Sequence, residues 1–341
     1  MDSFFQRFCN IYPHYKLNTK LKKRIFYLIF TIFKYFLKGP FKLNYEKFVF
    51  LAYPQKKNYS RSLLTKIKIH DESEVNFFIN NIDESSLFLD CGANQGFYSI
   101  PIAGHHRSSE IHAFEPSDQE MEYLKKNIST NNFTNINTHK LAIGDKEGEF
   151  KFKDDNLEDN STKGGYIIDE NNPNENGVTK VKTTTLDSFI ANKNIDKNKK
   201  IFIKIDLEGY DFNAVYGSKN LLNNYFTIIL FEFSKIAVEN EIYSKESFNK
   251  FLNQNDLCLF DINGNKLTLE MLHVKLNSLK KNHNVCGNFL ILKNENITSL
   301  KFWYLLNIYS IILFDTDSLI IEPYLFKTSF IILLLLSVDI S

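Results

Sequence analysis

Three features of the sequence predict an α/β fold with a mostly parallel sheet and helices on both faces. From about residue 70 to residue 293, apolar runs of strand length alternate with stretches of helical period. Polar motifs sit at the ends of those runs. Two last runs, Leu257–Ile262 and Asn288–Lys293, read as a closing antiparallel pair. Such alternation builds parallel strands joined by helical crossovers. Ligands then bind beyond the carboxyl ends of the strands, near the point where strand order reverses.

The elements follow in order. A helix is expected over Glu72–Ile82. Leu87–Cys91 is a short buried strand that ends in a glycine-containing loop, and Phe97–Gly104 opens the next helix. Ile111–Phe114 is the second strand. Asp118–Ile128 is a helix with Met121, Leu124 and Ile128 on one face. Ile136–Ile143 is the third strand, followed by a hairpin strand at Glu149–Lys153. The polar stretch Asp154–Val178 reads as a long loop, and long loops in compact domains are either functional or disordered. Thr185 caps a helix running to Ile190. Ile201–Ile205 is the fourth strand, Asp211–Leu222 its helix and Thr227–Phe233 the fifth strand. Ser244–Gln254 is a further helix, begun on Ser244.

The chain of 341 residues has room for one large α/β domain with extensions. The expected divisions are a basic, aromatic N-terminal extension (1–69), the α/β domain (70–296) and an apolar C-terminal tail of unassigned role (297–341). A net charge of +1 supplies no global field for nucleic acid, and no nucleic-acid partner is expected. Cys9, Cys91, Cys258 and Cys286 form no C-x-x-C pair, which fits reduced thiols in a cytoplasmic protein. Ile25–Phe33 follows the basic cluster Lys20–Arg24 but lacks a cleavage site, and it falls short of the roughly 20 apolar residues that span a bilayer. It reads equally as a helix lying on a membrane surface or one packed on the domain. The runs Phe302–Phe314 and Phe330–Val338 are each too short to span, so any membrane-surface contact is expected through one of the two flanks.

The segment from Leu87 to Gly96 carries the chemistry. Asp90 ends the first strand, and Gly92 and Gly96 bracket Asn94, giving D-x-G-x-N-x-G. Glycine turns the backbone tightly and lets a ligand approach where a Cβ would stand in the way. The N–H groups of the following helix suit a carboxylate or phosphate. A dinucleotide loop would read G-x-G-x-x-G, and the third glycine is missing here. S-adenosyl-L-methionine has no phosphate, and Asp90 near its ammonium suits it better. Glu115 ends the second strand at the distance from the glycine loop where an acid accepts ribose hydroxyls, and Pro116 turns the chain away.

At this point the sequence resembles the FkbM family of methyltransferases, a branch of the class I adenosylmethionine-dependent enzymes. The resemblance rests on Asp90-Cys-Gly-Ala-Asn-Gln-Gly96, Phe114-Glu-Pro116, Ala142-Ile-Gly-Asp145, Thr185-Leu-Asp187, Lys204-Ile-Asp-Leu-Glu-Gly209 and Leu230-Phe-Glu232, in the family's order. It covers roughly residues 75 to 293. It implies a Rossmann-like, seven-stranded sheet, S-adenosyl-L-methionine as cofactor, and O-methylation of a sugar or glycan-like acceptor, as in natural-product or polysaccharide biosynthesis. It also implies adenine contact by Ala142, Gly144 and Asp145, whose residue-level alternative is a Gly-Asp turn. Where relatives often have Glu-x-His at the end of the fifth strand, this chain has Glu232-Phe-Ser234.

Lys204, Asp206 and Glu208 alternate along the end of the fourth strand and share a face if the strand persists. Three charges so placed belong at an open rim. There Asp206 or Glu208 could orient the acceptor or act as general base, with Lys204 held by a carboxylate. Asp206 with Glu208 or Glu232 has the oxygen ligands that suit Mg²⁺, but no His lies near and no metal is expected. His112 and His139, in or beside strands, read as structural. Two other functions compete: a nicotinamide-dependent oxidoreductase with an altered loop, and a membrane-surface or scaffold protein with a degenerate domain.

Overall fold

The computed structural model describes residues 2–11, 20–33, 36–53, 63–64, 71–154, 165–168, 178–193, 195–239, 242–280 and 283–301. The chain divides into Met1–Leu300 and Lys301–Ser341. Of the second unit only Lys301 is described, so the apolar runs Phe302–Phe314 and Phe330–Val338 lie outside the described residues.

Helices α1 (Asp2–Ile11) and α2 (Lys20–Phe33) precede a hairpin of β1 (Phe41–Asn44) and β2 (Val49–Ala52). Next come α3 (Glu72–Asn81), β3 (Leu87–Cys91), α4 (Ser99–His105), β4 (Glu110–Phe114), α5 (Asp118–Asn131) and β5 (Ile136–His139). A strand-rich insert follows: β6 (Ala142–Ile143), β7 (Gly148–Lys153), β8 (Tyr166–Ile168) and β9 (Val178–Thr184). The chain then forms α6 (Leu186–Ala191), β10 (Ile201–Ile205), α7 (Asp211–Tyr216), α8 (Lys219–Asn224) and β11 (Thr227–Ser234). It continues with α9 (Lys235–Glu239), α10 (Lys245–Gln254), β12 (Leu257–Phe260), β13 (Lys266–Leu267), α11 (Leu269–Asn277) and β14 (Val285–Lys293), and a 3-10 helix follows at Asn294–Ser299.

The main sheet has the order β13-β12-β14-β11-β10-β3-β4-β5. Strands β5, β4, β3, β10 and β11 are parallel, and β14 runs antiparallel to β11. These are the seven expected strands with the two-residue β13 added at one edge. Strand order grows outward from β3 to β5 and then returns to β10 on the other side of β3. The switch point therefore lies between β3 and β10. Parallel register sets Lys204 beside Asp90 and Ile205 beside Cys91 there. Both strands are buried throughout, which explains apolar runs interrupted only by Asp90 and Lys204.

Four sequence expectations need correction. The third strand does not run to Ile143. The Leu141 N–H turns back to the His139 carbonyl at 2.9 Å, and Ala142–Ile143 joins a separate sheet of order β6-β9-β7-β8. Residues 166–168 and 178–184, in and just beyond the expected long loop, are strands. Only Val181 and Thr183 of β9 are buried, so its Thr and Lys residues hid the alternation. Residues 155–164 and 169–177 of that stretch lie outside the described residues. Asp211–Leu222 is two helices broken at Gly217, where a Cβ would lie 2.1 Å from the Gly144 carbonyl oxygen. The fourth strand stops at Ile205, so Asp206 and Glu208 are loop residues rather than continuing a strand face. The expected caps are present: Thr185 Oγ1 accepts from Ser188 N at 2.9 Å and Ser244 Oγ from Ser247 N at 3.1 Å.

No described helix is long and apolar enough to cross a membrane. Under β10 and β11 the core is aromatic: Phe212 is fully buried among Phe231, Phe233, Tyr243 and Phe248 at centroid distances of 4.3–6.0 Å. Phe212→Ala should cost about 3–5 kcal/mol, read as a fall in the urea midpoint at unchanged m-value. A loss under about 1 kcal/mol would contradict this packing.

Candidate active site

A cleft of about 810 Å³, open to solvent, lies at the carboxyl ends of β3, β4 and β10. Its floor is the loop after β3. Gly92 and Ala93 N–H groups both donate to the Phe114 carbonyl, at 3.0 and 2.9 Å, which folds the loop over the end of β4. Gly92 has φ +79°, and a Cβ there would sit 2.0 Å from the Asp206 carbonyl oxygen. Glycine is therefore required twice over, by dihedral and by contact. Asn94 also adopts the left-handed conformation, φ +50°, which Asn tolerates better than most residues.

The sequence-predicted residues separate into two groups. Gly92, Asn94, Glu115, Pro116, Ala142, Lys204, Asp206 and Glu208 line the cleft. Asp90, Gly96, Gly144 and Asp145 support it from behind. Asp90 is fully buried, and its Oδ2 accepts from Ser99 N at 3.1 Å and Ser99 Oγ at 2.5 Å. The start of α4, expected to offer a free N–H group to a ligand, is capped instead by Asp90. The space beside Gly96 is filled by Ile100 and Leu124 side chains. Asp145 Oδ1 accepts from Asn213 Nδ2 at 2.8 Å, and Gly144 packs under the Tyr210 ring. The Gly-Asp pair is thus a packed turn beneath the cleft, while Leu141, Ala142 and Ile143 face into it.

Lys204 is the hinge of the site. Its Nζ donates to the Gly92 carbonyl at 2.9 Å and lies 3.3 Å from Asp206 Oδ2 and 3.9 Å from Asp90 Oδ1, over the Tyr98 ring at 5.2 Å. Burial alone would lower its pKa, but Asp206 and Asp90 outweigh burial and hold the ammonium above the usual lysine range. Asp90 feels the converse. Burial raises its carboxyl, and Lys204 and Ser99 offset part of that rise.

Glu115 joins the two motif loops. Oε2 accepts from Asn94 N at 2.8 Å and Oε1 from Ser117 N at 2.9 Å. Burial, together with Glu120 and Asp154 nearby, pushes its carboxyl up to about 8 against those two hydrogen bonds.

Beyond β10 the chain makes a tight left-handed turn, with φ +52° at Glu208 and +104° at Gly209. The turn is closed by Asp211, whose Oδ1 and Oδ2 accept from Leu207 N at 3.2 Å and Gly209 N at 3.1 Å. Burial and Asp206 push Asp211 up to about 7. Glu232, at the end of β11, is pushed up to about 10 by burial and then by Asp206, Asp211 and Glu208. Acidic groups are therefore crowded around this turn, and the crowding favours the protonated forms of Asp211 and Glu232. Among the described residues, no group of three or more His, Cys, Asp or Glu side chains is arranged to hold a metal ion.

Sequence reasoning missed the outer wall: Phe152, Gly165, Tyr166 and Ile167 come from the four-stranded insert, and Tyr98, Glu120 and Tyr210 complete the lining. Tyr98 and Tyr210 flank the motifs and could have been found from that proximity. The insert carried no such signal.

The strand order 5-4-3-10-11-14-12, with β14 alone reversed among these seven strands, and a cleft at its switch point define the class I methyltransferase architecture. Residues 90–258 match the family described as the methyltransferase FkbM domain, and over that span the chain belongs to this family. No curated protein matches the chain. Similar solved structures include a methyltransferase FkbM from Methylobacillus flagellatus (15% identity over 57% of this chain and 48% of that one, TM-score 0.32). M. jannaschii TYW2 in complex with AdoMet is 12% identical over 74% of this chain and 84% of that one, TM-score 0.34. An rRNA methylase from Streptococcus thermophilus is 11% identical over 64% and 91%, TM-score 0.31. This chain thus spans about half the length of the first. The architecture stands on strand order, not on these likenesses.

Gly92→Ala should lower stability by at least about 2 kcal/mol, because the left-handed dihedral and the Asp206 contact both oppose it. Asn94→Gly should fall within about 1 kcal/mol of the parent, since only a local Asn94 Oδ1 contact to Gln95 N at 2.8 Å is lost. Thermal unfolding of both variants measures the contrast; equal effects would contradict the loop geometry.

Proposed function

We propose that the chain is an S-adenosyl-L-methionine-dependent O-methyltransferase acting on a hydroxyl of a sugar or glycan-like acceptor. The charge of the cleft carries the cofactor part of this reading. Among the described lining residues, Glu120, Asp206 and Glu208 stand with the raised Glu115 against one cation, Lys204, which is already paired. A dinucleotide would bring a doubly negative pyrophosphate into that field, whereas adenosylmethionine brings a net positive charge on its sulfonium and ammonium. The nicotinamide reading is disfavoured on this ground as well as by the missing third glycine. The solved relative from M. jannaschii has AdoMet bound.

The residues present fit such a cofactor. Glu115 would accept hydrogen bonds from the ribose, and Leu141, Ala142 and Ile143 would cover the adenine. Gly92 and Asn94 would leave room for the amino-acid end. When bound, the cofactor supplies an already activated methyl group, so the protein's work is positioning and proton removal. Asp206 and Glu208 reach the cleft and would orient the acceptor hydroxyl and take its proton. Lys204 positions Asp206 and the Gly92 loop rather than acting on the acceptor. Support for the sugar acceptor comes from the family resemblance and from the aromatic wall of Phe152, Tyr166 and Tyr210, which suits the apolar face of a sugar ring.

Isothermal titration with adenosylmethionine, adenosylhomocysteine and NAD tests the cofactor. Glu115→Ala should weaken adenosylhomocysteine binding by about 10–100-fold with an unchanged circular dichroism spectrum. Tighter binding of NAD, or full affinity in Glu115→Ala, would overturn the reading. The raised Glu115 adds a pH dependence. A cationic ligand favours the carboxylate, so adenosylmethionine should release protons and bind more tightly as pH rises toward about 8, then level off. Adenosylhomocysteine, lacking the sulfonium, should show a smaller rise; equal slopes would contradict the electrostatic argument.

A further inference from the structure

We propose that helix α2 docks the protein on an anionic lipid surface. Leu21, Ile25, Leu28 and Ile32 recur at intervals of four, three and four residues and so form one stripe along the helix. All four are exposed, from 39% for Ile25 to 68% for Leu21. The other side of α2 supplies Phe26 and Phe30, buried against Phe5 of α1 at centroid distances of 5.7 and 6.1 Å. One face of the helix thus completes the protein core, and a second apolar face is left outside. A helix meeting only water carries polar residues on its outer face.

Charge identifies what covers the stripe. Lys20, Lys22, Lys23 and Arg24 open α2, and the helix contains no acid. Residues 1–45 hold nine Lys and Arg against one acid, Asp2, in a chain whose net charge is only +1. The small overall charge therefore hides a strongly basic N-terminal segment attached to an acidic remainder. An apolar stripe bordered by cations matches the acyl boundary and phosphate headgroups of an anionic leaflet. A second copy of the helix would bring the same cations together with no acid to pair them. At 14 residues α2 is too short to span, so it lies in the plane of the surface.

The helix is not a loose tail. It leads into the β1–β2 hairpin, where Leu51 N donates to Asn127 Oδ1 at 2.8 Å and Val49 N to Asn131 Oδ1 at 2.6 Å, both on α5. Phe50 stacks on Phe97 of the cleft wall at 5.0 Å. Docking through α2 would therefore place the catalytic domain itself against the surface. The inference does not depend on the methyl-transfer reading.

Co-sedimentation of the full chain with phosphatidylglycerol–phosphatidylcholine vesicles, against phosphatidylcholine alone, tests it. The protein should bind the anionic vesicles at least about tenfold better and come off near 1 M salt, where the Debye length is about 3 Å. The pair Leu28→Ser with Ile32→Ser, and separately Lys20→Glu with Lys23→Glu, should each lose at least tenfold of that binding at an unchanged circular dichroism spectrum. Lys20, Leu28 and Ile32 are exposed and Lys23 is half-buried, and the two pairs fail to fold for different reasons if they fail at all. Absence of binding to anionic vesicles overturns the proposal. So does binding that both variant pairs retain, which would assign it to another segment such as 302–341. A dimer seen by light scattering that the serine pair dissociates would assign the stripe to a second copy instead.

Discussion

One buried ammonium joins the two halves of the main sheet. Lys204 lies one residue before the end of β10 at the switch point, beside Asp90 on β3, and reaches the Gly92 carbonyl and Asp206 carboxylate. Removing a charge from water is costly, and removing one partner from such a group leaves the other uncompensated. The residues around it are therefore mutually dependent. Asp90 caps α4 and faces Lys204; Lys204 holds the Gly92 carbonyl; Gly92 leaves the space that the Asp206 carbonyl fills. The floor of the cleft is one connected object.

Crowded carboxylates shape the rest of the site. Glu115, Asp211 and Glu232 are all raised by burial and by neighbouring acids, to about 8, 7 and 10. Raised acids make the folded protein bind protons more tightly than the unfolded chain. Their contribution is therefore intact at low pH and is lost as pH climbs from the ordinary carboxylate range through those values. Of the three only Glu115 lines the cleft, and a perturbed group in a cleft marks a candidate functional site. A cationic ligand in the cleft would favour the ionised form of Glu115.

Legibility of the sequence followed physical locality. Strands buried on both faces, such as Leu87–Cys91 and Ile201–Ile205, showed as apolar runs because both of their faces are covered, and the charges Asp90 and Lys204 stood out near their ends. The caps at Thr185 and Ser244 were legible because a cap acts within three residues. Glu115 and Asn94 were visible as motif residues, but their hydrogen bond to one another was not, since it spans 21 positions. The strand Val178–Thr184 was missed because only alternate residues of it are buried and its outward side is Thr and Lys. Asp90 stood out as an acid at a strand end, yet its role as a helix cap depends on where Ser99 returns to it. The exposed apolar stripe on α2 needed the structure to be told from a core face, because Phe26 and Phe30 share its helical period.

The central claim is that the cleft beside Lys204 holds the methyl donor, with Glu115 at the ribose and Leu141–Ile143 over the adenine. Hydrogen–deuterium exchange of the intact chain with and without adenosylhomocysteine measures this most directly. The account predicts slowed exchange confined to amides of the 92–98 loop, the 115–117 turn and residues 141–143. Protection elsewhere, or none at saturating ligand, would contradict it.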